Sequence, residues 1–379
     1  MAEKVLQGDE GIREAVVRAR PMSALPDNKF FKQGVAKING VLLELNEEVL
    51  PNLPLNKEKI AKEFSLFVDW SGKKVEMDLQ GLYSHGRVLT LNLKFADKYG
   101  NAYNYVSVKG VGIPERTEVA EIRKAPIKKA DSYDRRGGAW GLQEYLGAKA
   151  EWDASNEFLK NGIQTSVPIA IIRIDSVVLD GERRTVKELK EMGVIPKTME
   201  YDGKTYDYQP VIYLVGFSEF MREKDALRDD YEQFAKEHGM KLQEYVKWWS
   251  DRLAVNIAKL HSLGKIHGYL NDHNITLDGL FVDNDGVKDA DRDEKTKRAK
   301  EMAHVLFQIP SFFAETRENE RTAVDITKCR MDFLSKYLDN RPDMKRQEFM
   351  DLIYELRGFE DEVKLVEDAY ERKFGGKVG

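Results

Sequence analysis

The chain has 379 residues, 42% of them apolar and 33% charged, which places it in the soluble globular class with enough length for two or three packed units. A net charge of −5 provides no whole-molecule field for nucleic acid, and the single cysteine, Cys329, excludes an intrachain disulfide and suits a reducing compartment as a small buried apolar residue. No run of eighteen apolar residues is present to span a bilayer, and Met-Ala-Glu-Lys is not the start of a signal peptide, so the expected compartment is the cytoplasm.

Residues 1–35 are polar and carry Pro21 and Pro26; they are expected to form an arm, with one helix at Glu10–Ala19. The run Val41–Leu45 predicts a strand and Asn56–Glu63 a helix. Phe64–Trp70, Lys74–Leu79, Arg87–Phe95 and Ala102–Lys109 then follow one another with short turns between, which is the pattern of a meander. Residues 110–141 are rich in Gly, Arg and Lys and are expected to be loop. A helix is predicted over 141–160, closed by Asn161-Gly162, and strands over Val167–Ile174 and Pro210–Phe217. Between those strands lie a short helix at Val186–Met192 and a turn at Asp202-Gly203.

From Ser218 the pattern is helical. Leu242–His261 is the longest helix, followed by Lys295–Gln308, Thr322–Leu338, Arg346–Leu356 and Glu360–Phe374. The expected layout is α+β and bilobal: a β-rich N-lobe over 36–217 that includes the 141–160 helix, and a helical C-lobe over 218–379.

The segment His267-Gly268-Tyr269-Leu270-Asn271-Asp272-His273-Asn274 carries the chemistry. Its His, Leu and Asn match the offsets of His-Arg-Asp-Leu-x-x-x-Asn, the catalytic loop of protein kinases, while Gly268 replaces the Arg and Tyr269 the catalytic Asp. Asp283 follows in Leu280-Phe281-Val282-Asp283. Magnesium and manganese prefer oxygen ligands and bind through few protein groups plus phosphates, so Asn274 and Asp283 are the candidate metal ligands for Mg2+ or Mn2+ with ATP. Lys109 ends the strand segment Tyr105–Lys109, the usual place for a lysine that holds ATP phosphates. Its expected carboxylate partner on the 141–160 helix is Glu151, with Glu144 in reserve.

These segments resemble the selenoprotein O family, kinase-like proteins that transfer AMP. The resemblance lies in Val108-Lys109-Gly110-Val111-Gly112, in Glu151 with Gly162-Ile163-Gln164-Thr165, and in the loop His267–Asn274 with Gly279–Asp283. It covers roughly residues 103–290 and implies a protein-kinase-like fold, with the catalytic loop inside 265–290. It also implies that Lys109 holds phosphates, Glu151 fixes Lys109, and Asn274 and Asp283 bind metal. Where the family has a proposed base, an Asp just before the Asn, this chain has His273, whose neutral imidazole can accept a proton. Gly138, Gly141 and Arg136, with Gly137 and Arg135, are the candidates for the family's Gly-rich loop and phosphate-binding arginines.

Other chemistries fit poorly. Asp283-Asn284-Asp285-Gly286 has its Gly at the wrong position for a calcium loop. The histidines lack zinc spacing, no Gly-x-Ser-x-Gly elbow exists, and Lys109-Gly110 is not a Walker loop. The expected function is ATP- and metal-dependent transfer of AMP or phosphate to a protein hydroxyl or a small molecule. The alternatives are a pseudokinase acting as a nucleotide-binding scaffold, suggested by Tyr269, and a small-molecule kinase.

Overall fold

The computed structural model describes residues 30–129, 138–226, 228–290 and 326–355, with isolated positions 298, 301, 302, 305, 306, 364, 367, 368, 371 and 375. These residues fall into two compact units. The first holds residues up to Trp152 plus Val167–Ser218; the second holds Asp153–Ser166 and the residues from Glu219 onward.

The first unit is strand-rich. In chain order its strands are β1 (Phe30–Lys37), β2 (Gly40–Leu45), β3 (Leu66–Val68), β4 (Met77–Leu82), β5 (Val88–Ala96), β6 (Ala102–Lys109), β7 (Lys128–Lys129) and β8 (Ala139–Trp140). They continue with β9 (Gln143–Glu144), β10 (Val167–Ile174), β11 (Ser176–Leu179), β12 (Glu182–Thr185), β13 (Thr198–Tyr201), β14 (Lys204–Asp207) and β15 (Pro210–Phe217). Nine of them form one sheet in the order β2-β10-β15-β6-β5-β4-β1-β3, with β9 also paired to β15. Every residue of β15 is buried, and β10 is nearly so, because Val-Ile-Tyr-Leu-Val and Ile-Ala-Ile-Ile offer apolar side chains to both faces. β6 lies between β15 and β5, and its last residue, Lys109, pairs with Tyr213 on one side and Val88 on the other. Two small hairpins, β11–β12 and β13–β14, turn through Asp180-Gly181 and Asp202-Gly203, with positive φ at all four residues. That is the two-residue turn whose twist matches antiparallel strands.

Several expectations need correction. Residues 30–35 are strand, not arm: Phe30, Phe31, Val35 and Ala36 of β1 are buried against the sheet. The segment 110–141 is not all loop, since Glu118–Arg123 is a helix whose N-terminal N–H group, at Ala120, is capped by the Thr117 hydroxyl. The helix expected from 141 begins at Tyr145 and runs to Lys160, because Gln143 and Glu144 first pair with β15. The Glu10–Ala19 helix and Arg136 lie outside the described residues, as do most of Lys295–Gln308 and Glu360–Phe374.

The second unit is helical, with helices Arg228–Glu237, Leu242–Ser262, Ile326–Asp339 and Arg346–Glu355. Leu242–Ser262 is its core: Tyr245, Trp249, Leu253, Ile257 and Leu260 recur at helical spacing and are essentially inaccessible. Burying each such large apolar side chain contributes roughly 1.5–3 kcal/mol. Tyr245 and Trp249 also donate to the carbonyls of Leu277 and Thr276, so the helix fixes the loop that follows it. Among the described residues no helix is long and apolar enough to cross a membrane.

Candidate functional site

The candidate residues form two sets, one in each unit. In the first unit, β6 delivers Lys109 into the protein interior. Its Nζ lies 2.8 Å and 3.0 Å from the carboxylate oxygens of Glu151, and both residues are 3% exposed. The Tyr213 ring, directly across the strand pair, sits 5.7 Å from the ammonium. Glu144, the reserve partner, instead accepts from the backbone N–H of Gly147 at the start of the Tyr145–Lys160 helix. A negative group there complements the positive helix end.

The glycine candidates behave differently from one another. Gly141 has φ +91°, and a Cβ there would come within 2.4 Å of the Pro126 carbonyl oxygen. Its own carbonyl accepts from Gly112 N–H. Glycine at this position is thus explained by a close backbone crossing, without reference to phosphate. Gly138 is buried and has no such crowding.

In the second unit, residues 274–282 form a tight hairpin. Val282 N–H donates to Asn274 C=O, Ile275 bridges Phe281, and Gly279 closes the turn at φ +74°. The pairing sets Asn274 opposite Val282, so Asp283 is the next residue beyond the pair. His267 is a structural member of this loop: it is buried, its Nε2 donates to Val282 C=O at 3.1 Å, and its ring meets Phe281 edge-on. Gly268 has φ +82°, and a Cβ would come within 2.8 Å of the Gly286 carbonyl oxygen, so the side chain that usually follows the His has no room here.

Asn274 is buried and its Nδ2 donates to Tyr269 C=O at 2.8 Å, which leaves the amide oxygen as the end able to ligate a cation. Asp283 adopts the left-handed conformation at φ 55°, ψ 51°, a sparsely populated state for a residue with a Cβ. Its Oδ2 accepts from Arg222 Nη1 at 2.8 Å, and the same Nη1 reaches the His273 carbonyl at 2.8 Å. Asn284 locks the turn from below through 2.8 Å and 2.7 Å bonds to the hydroxyls of Ser155 and Thr165, and Thr165 in turn donates to Phe281 C=O. The segment Gly162–Thr165 is therefore a support for the loop.

The His273 side chain is 44% exposed, with a carboxylate oxygen of Asp272 3.8 Å from its Nε2. Tyr269, at the position of the kinase catalytic Asp, is 64% exposed. Arg222 was not singled out from the sequence; its one signal is a basic residue directly after the apolar pair Phe220-Met221.

The donor set suits a hard divalent cation, since Asn274 and Asp283 offer oxygens only. Among the described residues no group of three or more His, Cys, Asp and Glu side chains could hold a metal unaided. A cation at Asn274 and Asp283 would thus depend on phosphate oxygens for its remaining ligands.

Behind the loop runs a buried hydrogen-bond chain. Gly268 N–H donates to Glu301 at 3.1 Å, and the other Glu301 oxygen is 3.0 Å from His261 Nε2. His261 Nδ1 is 2.9 Å from the Tyr337 hydroxyl, which accepts from Arg341 at 2.7 Å; Arg341 also pairs with Glu348 at 2.9 Å and 3.0 Å. Burial, reinforced by the Arg341 and Arg298 charges, holds the His261 pKa below its usual value despite the opposing pull of Glu301. Neutral His261 with its proton on Nε2 satisfies every member: Tyr337 donates to Nδ1 and Nε2 donates to Glu301.

No protein-family model matches the chain, and no curated protein matches it. Among solved structures it is similar to the Toxoplasma gondii specific rhoptry antigen kinase domain, at 11% identity and a TM-score of 0.35 over 75% of this chain and 84% of that one. It is also similar to the ROP18 kinase domain in complex with AMP-PNP and sucrose, at 10% identity and a TM-score of 0.33 over 93% of this chain and 88% of that one. Scores of this size carry no argument about the site.

Proposed function

We propose that the chain is a protein-kinase-like transferase that binds ATP with Mg2+ or Mn2+ and moves either AMP or phosphate onto an acceptor hydroxyl. The observation that carries this reading is the buried Lys109–Glu151 pair. An enclosed ion pair contributes little net stability, because desolvating both charges offsets their attraction. A lysine held rigid by one carboxylate at the end of a central strand is instead suited to meet a second, polyanionic partner such as a triphosphate.

In this reading Lys109 contacts phosphate oxygens, Glu151 orients it, and Asn274 and Asp283 offer their oxygens to the cation. The bound cation would supply charge neutralisation at the phosphates. Catalysis would rest on positioning and electrostatics rather than on covalent chemistry by the protein.

The test uses ATP labelled at the α or the γ phosphate, with Mg2+ or Mn2+. AMP transfer leaves the α label on the acceptor and releases pyrophosphate; phosphate transfer leaves the γ label. Asp283→Asn is expected to lower turnover about 100-fold or more. Neither label on any acceptor, together with ATP binding by calorimetry, would establish the second reading, a nucleotide-binding pseudokinase. That reading is favoured by the exposed Tyr269 where a catalytic Asp would stand.

A further inference from the structure

We infer that Arg222 is a built-in counter-cation for Asp283, which a divalent metal must displace to bind; this rests on the proposal that Asp283 is a metal ligand. Arg222 Nη1 donates to Asp283 Oδ2 and to the His273 carbonyl, both at 2.8 Å. It therefore bridges one candidate ligand, Asp283, and the backbone of His273, the residue next to the other candidate ligand, Asn274. A guanidinium and a divalent ion compete for Asp283 Oδ2, because their charges repel at this distance and each claims the oxygen's lone pairs.

The surroundings allow the side chain to leave while the backbone stays. Arg222 is pinned by a bridge to Thr276, by Glu223 N–H donating to Ile275 C=O, and by Lys224 N–H donating to Asp272 C=O. Its side chain is 15% exposed and that of Asp283 34%, so solvent reaches both partners. The His273 carbonyl, once released, can be satisfied by water at this partly open position. The metal-free loop thus keeps its strained Asp283 neutralised and in place, and metal affinity is set by the competition between the ion and Arg222.

The experiment titrates Mn2+ alone, without nucleotide, and follows free Mn2+ by electron paramagnetic resonance. Arg222→Gln is expected to bind Mn2+ about tenfold or more tightly than wild type, as removal of a charge-assisted competitor should. Arg222→Lys should stay near wild type, and adding Asp283→Asn to Arg222→Gln should erase the gain. Equal or weaker binding by a folded Arg222→Gln chain overturns the inference and leaves the metal reading standing. If Arg222→Gln does not fold, Mg2+ is titrated into wild type while the Arg222 Nε–H resonance, assigned by its loss in Arg222→Lys, is followed. That signal should shift with the binding midpoint, and a signal unmoved at saturating Mg2+ overturns the inference. Where Mn2+ binds only once ATP supplies the remaining ligands, the same comparison of variants is made with ATP present; binding of Mn2+ to none of the chains under either condition overturns the inference and the metal role of Asp283 together, while metal-free ATP binding tests the nucleotide reading separately.

Discussion

Glu223 is 5% exposed, and neither of its carboxyl oxygens has a hydrogen-bond partner among the described residues. Burial, with a contribution from the nearby Asp272 charge, holds its pKa well above the usual carboxylate range. A carboxyl whose pKa is raised by folding is free of penalty below its unfolded pKa of about 4.3 and costs increasing stability as pH rises toward the folded value. Glu223→Gln keeps the shape and removes the charge. It is expected to be near neutral at pH 4 and to stabilise the protein by roughly 1–3 kcal/mol at pH 8, in urea melts at the two pH values. An identical offset at both would contradict the raised pKa. Lys109 makes the opposite case. Lys109→Met strands Glu151 as a buried unpaired carboxylate and should cost about 3–5 kcal/mol. Lys109→Met combined with Glu151→Leu should recover most of that stability in denaturant melts without recovering ATP binding; recovery of both would show the lysine to be structural only.

Among the elements, the chain from Gly268 to Glu348 links the loop to the helices Leu242–Ser262 and Ile326–Asp339 through His261 and Tyr337. The His261 pKa is lowered by folding, so its contribution is complete above the unfolded value of about 6.5 and is lost as pH falls below it. Wild type should therefore lose stability as pH falls below 6.5, and His261→Gln should flatten that limb of the pH profile; an unchanged limb would place the acid sensitivity elsewhere. Tyr337→Phe removes one hydroxyl that serves two partners and should cost roughly 1–3 kcal/mol. It should also speed hydrogen exchange at the Gly268 amide, which a purely local packing defect would not do. Elements with strong internal patterns were legible in the sequence. Ala102–Lys109, Val167–Ile174 and Pro210–Phe217 have the expected bounds because runs of β-branched and aromatic residues leave no competing helix. The β11–β12 hairpin is marked only by its turn pair, Asp180-Gly181, because neither Ser176–Leu179 nor Glu182–Thr185 alternates apolar and polar residues. The Glu118–Arg123 helix was hidden because six residues bounded by the Thr117 cap and a left-handed Lys124 carry too few apolar positions for a period.

Across the whole molecule, the apolar period changes near residue 218, and the strand-rich unit ends at Ser218; Asp153–Ser166, expected within the β-rich half, groups instead with the helical unit. Site legibility was uneven. The pairing of Lys109 with Glu151 could be anticipated from the kinase pattern of a strand lysine and a helix carboxylate. Arg222 could not, because no motif offset marks its contact with Asp283, 61 residues away. The central claim is that the chain binds ATP through Lys109 and a cation held at Asn274 and Asp283. It is tested most directly by calorimetric titration of ATP, with and without Mg2+, into wild type, Lys109→Met/Glu151→Leu and Asp283→Asn. The account predicts binding by wild type that Mg2+ strengthens, loss of binding in the double variant, and loss of the Mg2+ effect alone in Asp283→Asn. Wild-type binding that neither Mg2+ nor either variant alters, or no binding by folded wild type, would contradict it.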